Sequence, residues 1–138
     1  MDKLLVCDCD GVLTDGYVPR RFNVKDGLAL QLVPSVILSA SFDKEILYRA
    51  TDLGVRCYQA KDKLAALKQI CELNEVKLED VWYIGDDLPD LECIRAVGHG
   101  CCPADAVKEV KREAGYVCKA KGGQGAVREV VDMMRREK

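Results

Sequence analysis

Residues 1–16 read MDKLLVCDCDGVLTDG, and this stretch decides how the rest of the chain is understood. KLLVCDC (3–9) is apolar almost without interruption, with Asp8 at its end. A continuous apolar run of this length, without alternation, reads as a strand buried on both faces, as in a parallel sheet. Cys9, Asp10 and Gly11 follow. Glycine makes a tight turn easy there. Two carboxylates two residues apart repel each other unless a positive charge arrives from elsewhere. No basic residue stands beside them in this stretch.

Working outward, strand-like and helix-like segments alternate. SVILSAS (35–41), VRCYQ (55–59), DVWYIGD (80–86), GHGCC (98–102) and YVCK (116–119) read as further strands. Between them lie helical segments: DGLALQLV (26–33), DKEILYRATDLG (43–54), KDKLAALKQICELNEV (61–76), PDLECIRAVG (89–98) and ADAVKEVKREAG (104–115). GAVREVVDMMRREK (125–138) closes the chain as an amphipathic helix. Leu64, Leu67, Ile70, Cys71 and Leu73 share one helical face. DGYVPRRFN (15–23) reads as a loop or short flap. The pattern predicts an α/β fold, a Rossmann-like three-layer sandwich with a parallel sheet and helices on both faces. Residues 1–138 form one domain in this reading, and no insertion is long enough for a large cap domain.

With 49% hydrophobic and 32% charged residues the chain reads as soluble and globular. A net charge of -2 gives no reason to expect nucleic acid or an anionic membrane as a partner. No apolar run approaches the ~20 residues of a membrane span, and the first residues do not make a signal peptide. A cytoplasmic location is expected. The 8 cysteines include no C-x-x-C, and only His99 could complete a zinc site. Most fall in apolar strand patterns and read as small buried hydrophobes, with a soft-metal or redox site as the alternative.

In parallel sheets ligands bind beyond the carboxyl ends of the strands. Asp8 and Asp10 stand at the first such end, Ser39 at the second, Lys63 just after the third, and Asp86 and Asp87 at the fourth. Clustered carboxylate oxygens favour a hard cation, most simply Mg²⁺. Lys63 and Ser39 add donors for a phosphate. Asp8 is then placed to attack phosphorus and form an aspartyl-phosphate. Asp10 is placed to protonate the leaving oxygen and later to deprotonate water. Taken singly, each residue has a plainer reading. Asp10 suits a turn, Asp86 or Asp87 a helix cap, Asp90 a first helical turn, and Lys63 a solvated helix. The conjunction at one sheet edge argues for a site.

The stretches DCDGVLTDG, Ser39, Lys63 and GDDLPD resemble the four ordered motifs of haloacid dehalogenase-like phosphatases. FNVKDG, YIGDDLPDL and GGQGAVREV are similar to the capless branch of 3-deoxy-D-manno-octulosonate 8-phosphate phosphatases. GYVCKAKGGQGAVRE also looks like the C-terminal domain of animal acylneuraminate cytidylyltransferases. The resemblance covers nearly the whole chain. It implies Asp8 as nucleophile, with Asp8, Asp86 and the carbonyl of Asp10 as Mg²⁺ ligands. It implies Ser39 and Lys63 as phosphate-binding residues, with Lys63 also catalytic, and Asp87 and Asp90 in support. Asn23, Val24, Lys25, Asp26, Gly27 and Arg49 fall where the octulosonate enzymes hold substrate, a small sugar acid phosphate. A homo-oligomer, by resemblance a tetramer, is implied as well.

There are departures. The segment between Asp15 and Phe22 is shorter than the family's hairpin, and the helix from Gly27 to Pro34 is shorter too. Ala40 and Ser41 replace a Gly-Arg pair, and Gln31 replaces a second arginine, so weaker selection for a sugar carboxylate is expected. The tail around Gly122 and Gly123, with Lys121 and Arg128, is expected to be a mobile segment that closes over the substrate, the alternative being a plain connection between the sixth strand and the last helix. Two competing readings are a non-catalytic oligomerisation module and a phosphotransferase of the β-phosphoglucomutase type. A scaffold has no need of Asp8, Asp10, Lys63 and Asp86, and a mutase needs a cap.

Overall fold

The computed structural model describes residues 2–137. Six parallel strands lie in the order β3-β2-β1-β4-β5-β6. They are β1 (Leu4–Cys7), β2 (Ser35–Ser39), β3 (Arg56–Gln59), β4 (Val81–Ile84), β5 (His99–Cys102) and β6 (Tyr116–Val117). The helices are α1 (Val24–Leu30), α2 (Lys44–Leu53), α3 (Lys63–Leu73), α4 (Leu91–Ala96), α5 (Lys108–Glu113) and α6 (Ala126–Arg136). This is the expected three-layer α/β sandwich.

Period-two alternation splits the strands between two cores. Leu5, Cys7, Ile37, Trp82 and Ile84 face α1, α2 and α6. Leu4, Val6, Val36, Leu38 and Tyr83 face α3, α4 and α5. Helix α6 buries Ala126, Val127, Val130, Val131 and Met134, a stripe at helical spacing. Helix α3 buries Leu67, Ile70 and Cys71, whereas Leu73, expected on that face, is exposed. All eight cysteines are free thiols; Cys57 is half-buried and the others are buried. Burial pushes every one of them up, Cys101 to about 12 and Cys102 to about 11. That matches their reading as packing residues. No described helix is long and apolar enough to cross a membrane.

Several boundaries differ from the sequence reading, for physical reasons. Strand β1 stops at Cys7, because the Asp8 carboxylate accepts from the Cys9 amide at 2.8 Å and the chain turns at once. Helix α1 begins at Val24 because the Asn23 side chain caps it through the amides of Lys25 and Asp26. The helix expected at 89–98 starts as a 3₁₀ turn, Leu88–Asp90, set by Pro89 and reciprocal caps from Asp87 and Asp90. The flap at 15–23 forms a single antiparallel bridge, Thr14 to Phe22, and no hairpin strands.

The chain builds outward from β1 to β2 and β3, then returns to place β4 on the other side of β1. The switch in direction therefore lies between β1 and β4, where open α/β sheets hold ligands. Cys7 is level with Ile84 there. Asp8 and Gly85-Asp86 leave the sheet side by side.

Candidate active site

A polar cavity of about 260 Å³ opens at this carboxyl edge, lined by Asp8, Asp10, Ser39, Ser41, Lys63, Asp86 and Asp87 among others. Its deep wall is a chain of buried charge. Lys63 opens α3, and its Nζ lies 2.9 Å from Asp8 Oδ1 and 2.8 Å from Asp90 Oδ1. The Tyr83 hydroxyl, fully buried on β4, donates to the same Asp90 oxygen at 2.6 Å. The other Asp90 oxygen accepts from the amides of Asp86 and Asp87 at 3.0 and 3.3 Å. Asp90 therefore holds Lys63 in place and shapes the loop that presents Asp86. Gly85 is required in this loop, since a Cβ there would overlap the Asp90 side chain.

Asp8, Asp86 and Asp90 each offer an oxygen within 4.8 Å of the others. Burial, then the neighbouring Asp90, pushes Asp8 well above the usual carboxylate range, and Lys63 only partly offsets this. Burial raises Asp86 to about 6. Burial opposes charge on Lys63, but Asp8 and Asp90 outweigh it and its pKa rises. One ammonium thus faces three carboxylates. Such a set is short of positive charge, and its donors are all hard oxygens. Cys7 and Cys9 flank Asp8 but are buried in the core. The donors fit Mg²⁺, and Asp8 and Asp86 are the side chains that could hold it. Both Asp90 oxygens are already engaged.

Asp10 lies on the outer wall. Gly11 sits at φ 82°, and its missing Cβ leaves room for the Asp86 carboxylate. The turn therefore brings Asp10 and Asp86 to one cavity. The Asp10 carboxylate is gripped by Arg20, Nε to Oδ1 at 2.7 Å and Nη2 to Oδ2 at 3.0 Å. Ser39, at the end of β2, is buried, and its Oγ accepts from the Ser41 amide at 3.1 Å.

The substrate-segment residues lie elsewhere. Asn23 caps α1. Asp26 is wholly buried and accepts from the amides of Gly125 and Arg128, capping α6 from across the sequence. Burial, only partly offset by those amides, raises its pKa. Gly27 packs against Arg49 and Leu53. Val24 and Lys25 are exposed. Arg49 lies over the Phe22 ring at 5.2 Å, and its Nε is buried without a partner. None of these six residues lines the Asp8 cavity. Gln31 donates to the Leu53 carbonyl.

The glycine tail is packed against the turn after β1 and does not line the Asp8 cavity. Gly122 and Gly123 press on the backbone of Gly11 and of Thr14-Asp15, where a Cβ would overlap. Their amides are taken by Asp105 and by the Val12 carbonyl. Glu129 accepts from the amides of Lys119 and Ala120. Arg20, Tyr83, Asp105 and Glu129 carried no signal in the sequence, and Asp26 was expected at the substrate and not as a cap of α6. Tyr83 lies within an apolar strand run, and Arg20 within the segment read as a loop or short flap.

The family model for haloacid dehalogenase-like hydrolases matches residues 58–130, more than half of the chain. A 3-deoxy-D-manno-octulosonate 8-phosphate phosphatase from Yersinia pestis is 37% identical over 147 aligned positions, 96% of this chain and 79% of that protein. The chain belongs to the haloacid dehalogenase-like hydrolases. Within them it falls in the octulosonate 8-phosphate phosphatase branch. The corresponding enzyme of Moraxella catarrhalis, solved in complex with magnesium ion, phosphate ion and KDO, superposes with a TM-score of 0.91 at 33% identity, covering 96% of this chain and 84% of that one. The cobalt-bound form from Haemophilus influenzae gives 0.92 at 33%, covering 96% and 86%.

Proposed function

We propose that this protein is a Mg²⁺-dependent phosphatase that hydrolyses a 2-keto-3-deoxy sugar acid phosphate, 3-deoxy-D-manno-octulosonate 8-phosphate or a close analogue. The observation that carries the reading is the Lys63 ammonium 2.9 Å from Asp8, with Asp86 in the same oxygen cluster at the switch point of the sheet. Branch membership supports the substrate class.

Asp8, Asp86 and the carbonyl of Asp10 hold the metal in this proposal. Bound there, Mg²⁺ supplies the positive charge the cluster lacks and polarises the phosphoryl oxygens. Lys63 neutralises charge on the transferring group, and Ser39 donates a hydrogen bond to it. The Asp8 carboxylate attacks phosphorus as the bond to the sugar oxygen breaks, and Asp10 gives that oxygen its proton. Asp10 then takes a proton from the water that cleaves the aspartyl-phosphate, and phosphate leaves. Asp87 and Asp90 position this machinery.

Asn23, Asp26 and Gly27 are engaged in packing and capping, so we assign the sugar's acid end to the remaining positive groups. These are Lys25, which is exposed, and Arg49, whose Nε has no partner. A homotetramer in the cytoplasm completes the proposal. Tyr17, Val18, Val24 and Leu28 leave an exposed apolar surface on the flap and α1 that supports self-association. A non-catalytic role is not favoured.

The test is a panel of sugar phosphates assayed with Mg²⁺ and after chelation. Metal-dependent turnover of sugar acid phosphates is expected, with only modest preference over neutral analogues because Ser41 and Gln31 carry no charge. Failure to hydrolyse any of them in Mg²⁺ would overturn the reading.

A further inference from the structure

Arg20 is the buried hub of an acidic cluster. Its side chain is 12% exposed, whereas those of its partners Asp10, Asp43 and Glu45 are 41%, 48% and 51% exposed. Nη1 reaches Asp43 Oδ2 at 2.7 Å and Glu45 Oε1 at 3.1 Å, while Nε and Nη2 form a two-point fork on Asp10. One guanidinium thus ties the turn after β1, the flap and the start of α2 together. Asp43 can share in this because its other oxygen already caps α2 through the Glu45 amide.

Ion pairs with such solvated partners contribute little to stability, so stability alone gives no reason to sequester the arginine. The effect on Asp10 is more specific. Among the described residues, the one side chain besides Arg20 that reaches the Asp10 carboxylate is Thr14, whose Oγ1 donates at 3.4 Å. Without the fork, Asp10 would be a half-exposed side chain free to change rotamer. A bidentate guanidinium fixes both the direction and the plane of a carboxylate. It also leaves each oxygen a second lone pair for another proton or donor.

We propose that Arg20 is a positioning residue that fixes the Asp10 carboxylate for proton transfer to the leaving oxygen, with Asp43 and Glu45 anchoring it to α2. This rests on the reading of Asp10 as acid and base. Proton transfer is sensitive to placement, and an error of about 1 Å can cost ~10²-fold in rate.

The test uses the dependence on the leaving group. An alkyl or sugar oxygen needs a proton as it departs, and p-nitrophenolate does not. Arg20→Met, Arg20→Lys and Asp10→Asn are compared with the wild type on glycerol phosphate and p-nitrophenyl phosphate, with thermal midpoints measured for each. The readout is kcat/KM, which reports steps up to phosphoryl transfer and not the later hydrolysis. Both Arg20 variants should lose at least about tenfold more on glycerol phosphate than on the aryl ester. Arg20→Lys keeps a charge for Asp43 and Glu45 but cannot form the fork, so it carries the test if the Met variant does not fold. Equal losses on both esters, or none, in the Arg20 variants alone would overturn the positioning role and leave Asp10 as the acid. Equal losses in Asp10→Asn as well would remove the acid role, and the positioning role with it.

Discussion

The two walls of the cavity are held in different ways. On the deep wall, Asp8, Lys63, Asp90 and Tyr83 are buried and linked by contacts of 2.6 to 2.9 Å. Asp8 follows β1, Tyr83 lies on β4, Asp90 ends the 3₁₀ turn before α4 and Lys63 opens α3, so elements packed on the sheet fix them. On the outer wall, Asp10 is held by Arg20, from a flap with a single strand bridge. Its three carboxylates also outnumber their one cation, but they are about half exposed, so solvent screens the excess charge. The deep wall carries uncompensated negative charge and thus has use for a metal. The outer wall's excess charge is solvated, and in the proposed reaction this wall handles the protons. Low-dielectric surroundings make every charge on the deep wall count for more.

The largest effect expected from breaking this contrast is at Asp8. Asp8→Asn should lower kcat by at least about 10³-fold, because the amide is a poor nucleophile. The melting temperature of the metal-free protein should hold or rise, since ionising Asp8 is unfavourable without metal. Kinetics and calorimetry on one preparation check both. Lys63→Ala should cost about 10²–10³-fold in kcat/KM and weaken inhibition by inorganic phosphate. A loss under threefold would make Lys63 a structural ion-pair residue only.

The same contrast separates what the sequence reveals from what it hides. The order of elements was legible because both sheet faces are covered, so strands read as apolar runs and helices as stripes. Asp8, Lys63 and Asp86 were legible because charges at strand ends are conspicuous beside buried apolar runs. Asp90 was read as a first-turn carboxylate, and it does cap, but its contacts with Lys63 and Tyr83 lie 27 and 7 residues away in sequence. Such contacts depend on how α3 and the turn before α4 pack on one sheet face, which local pattern does not specify. The capping of α6 by Asp26, 99 residues from Gly125, is hidden for the same reason. The glycines at 122 and 123 suggested slack chain. Close approach of two backbones demands the same residue, and sequence alone does not distinguish the two uses.

Smaller effects sharpen the contrast. Asp86 titrates near 6 without metal, and Mg²⁺ requires the ionised form. Mg²⁺ affinity, followed by titration calorimetry, should therefore weaken by at least about tenfold per pH unit below that point, more where Asp8 also takes up a proton. Stability of the metal-free protein should move the opposite way. The folded state holds this proton more tightly than the unfolded chain, whose carboxyl titrates near the usual 3.8, so stability rises as pH falls from about 6 towards 4. Tyr83→Phe removes a donor to a buried carboxylate and should lower kcat/KM by up to about tenfold, with a lower melting temperature. On the outer wall, Glu45→Gln should change kcat/KM by less than about twofold, because Arg20 keeps Asp10 and Asp43 and the lost ion pair is solvated. A tenfold loss there would mean that the two walls are equally sensitive.

The covalent role of Asp8 is open to direct observation. The wild type, Asp10→Asn and Asp8→Asn are mixed with ³²P-labelled p-nitrophenyl phosphate and Mg²⁺, then quenched in acid within milliseconds. Asp10→Asn should accumulate label, because the aryl ester needs no acid to leave and the acyl phosphate has lost its base. The label should be released by hydroxylamine and map to the peptide that contains Asp8, and Asp8→Asn should take up none. Rapid turnover by the wild type with no label on any quenched protein, Asp10→Asn included, would contradict nucleophilic attack by Asp8.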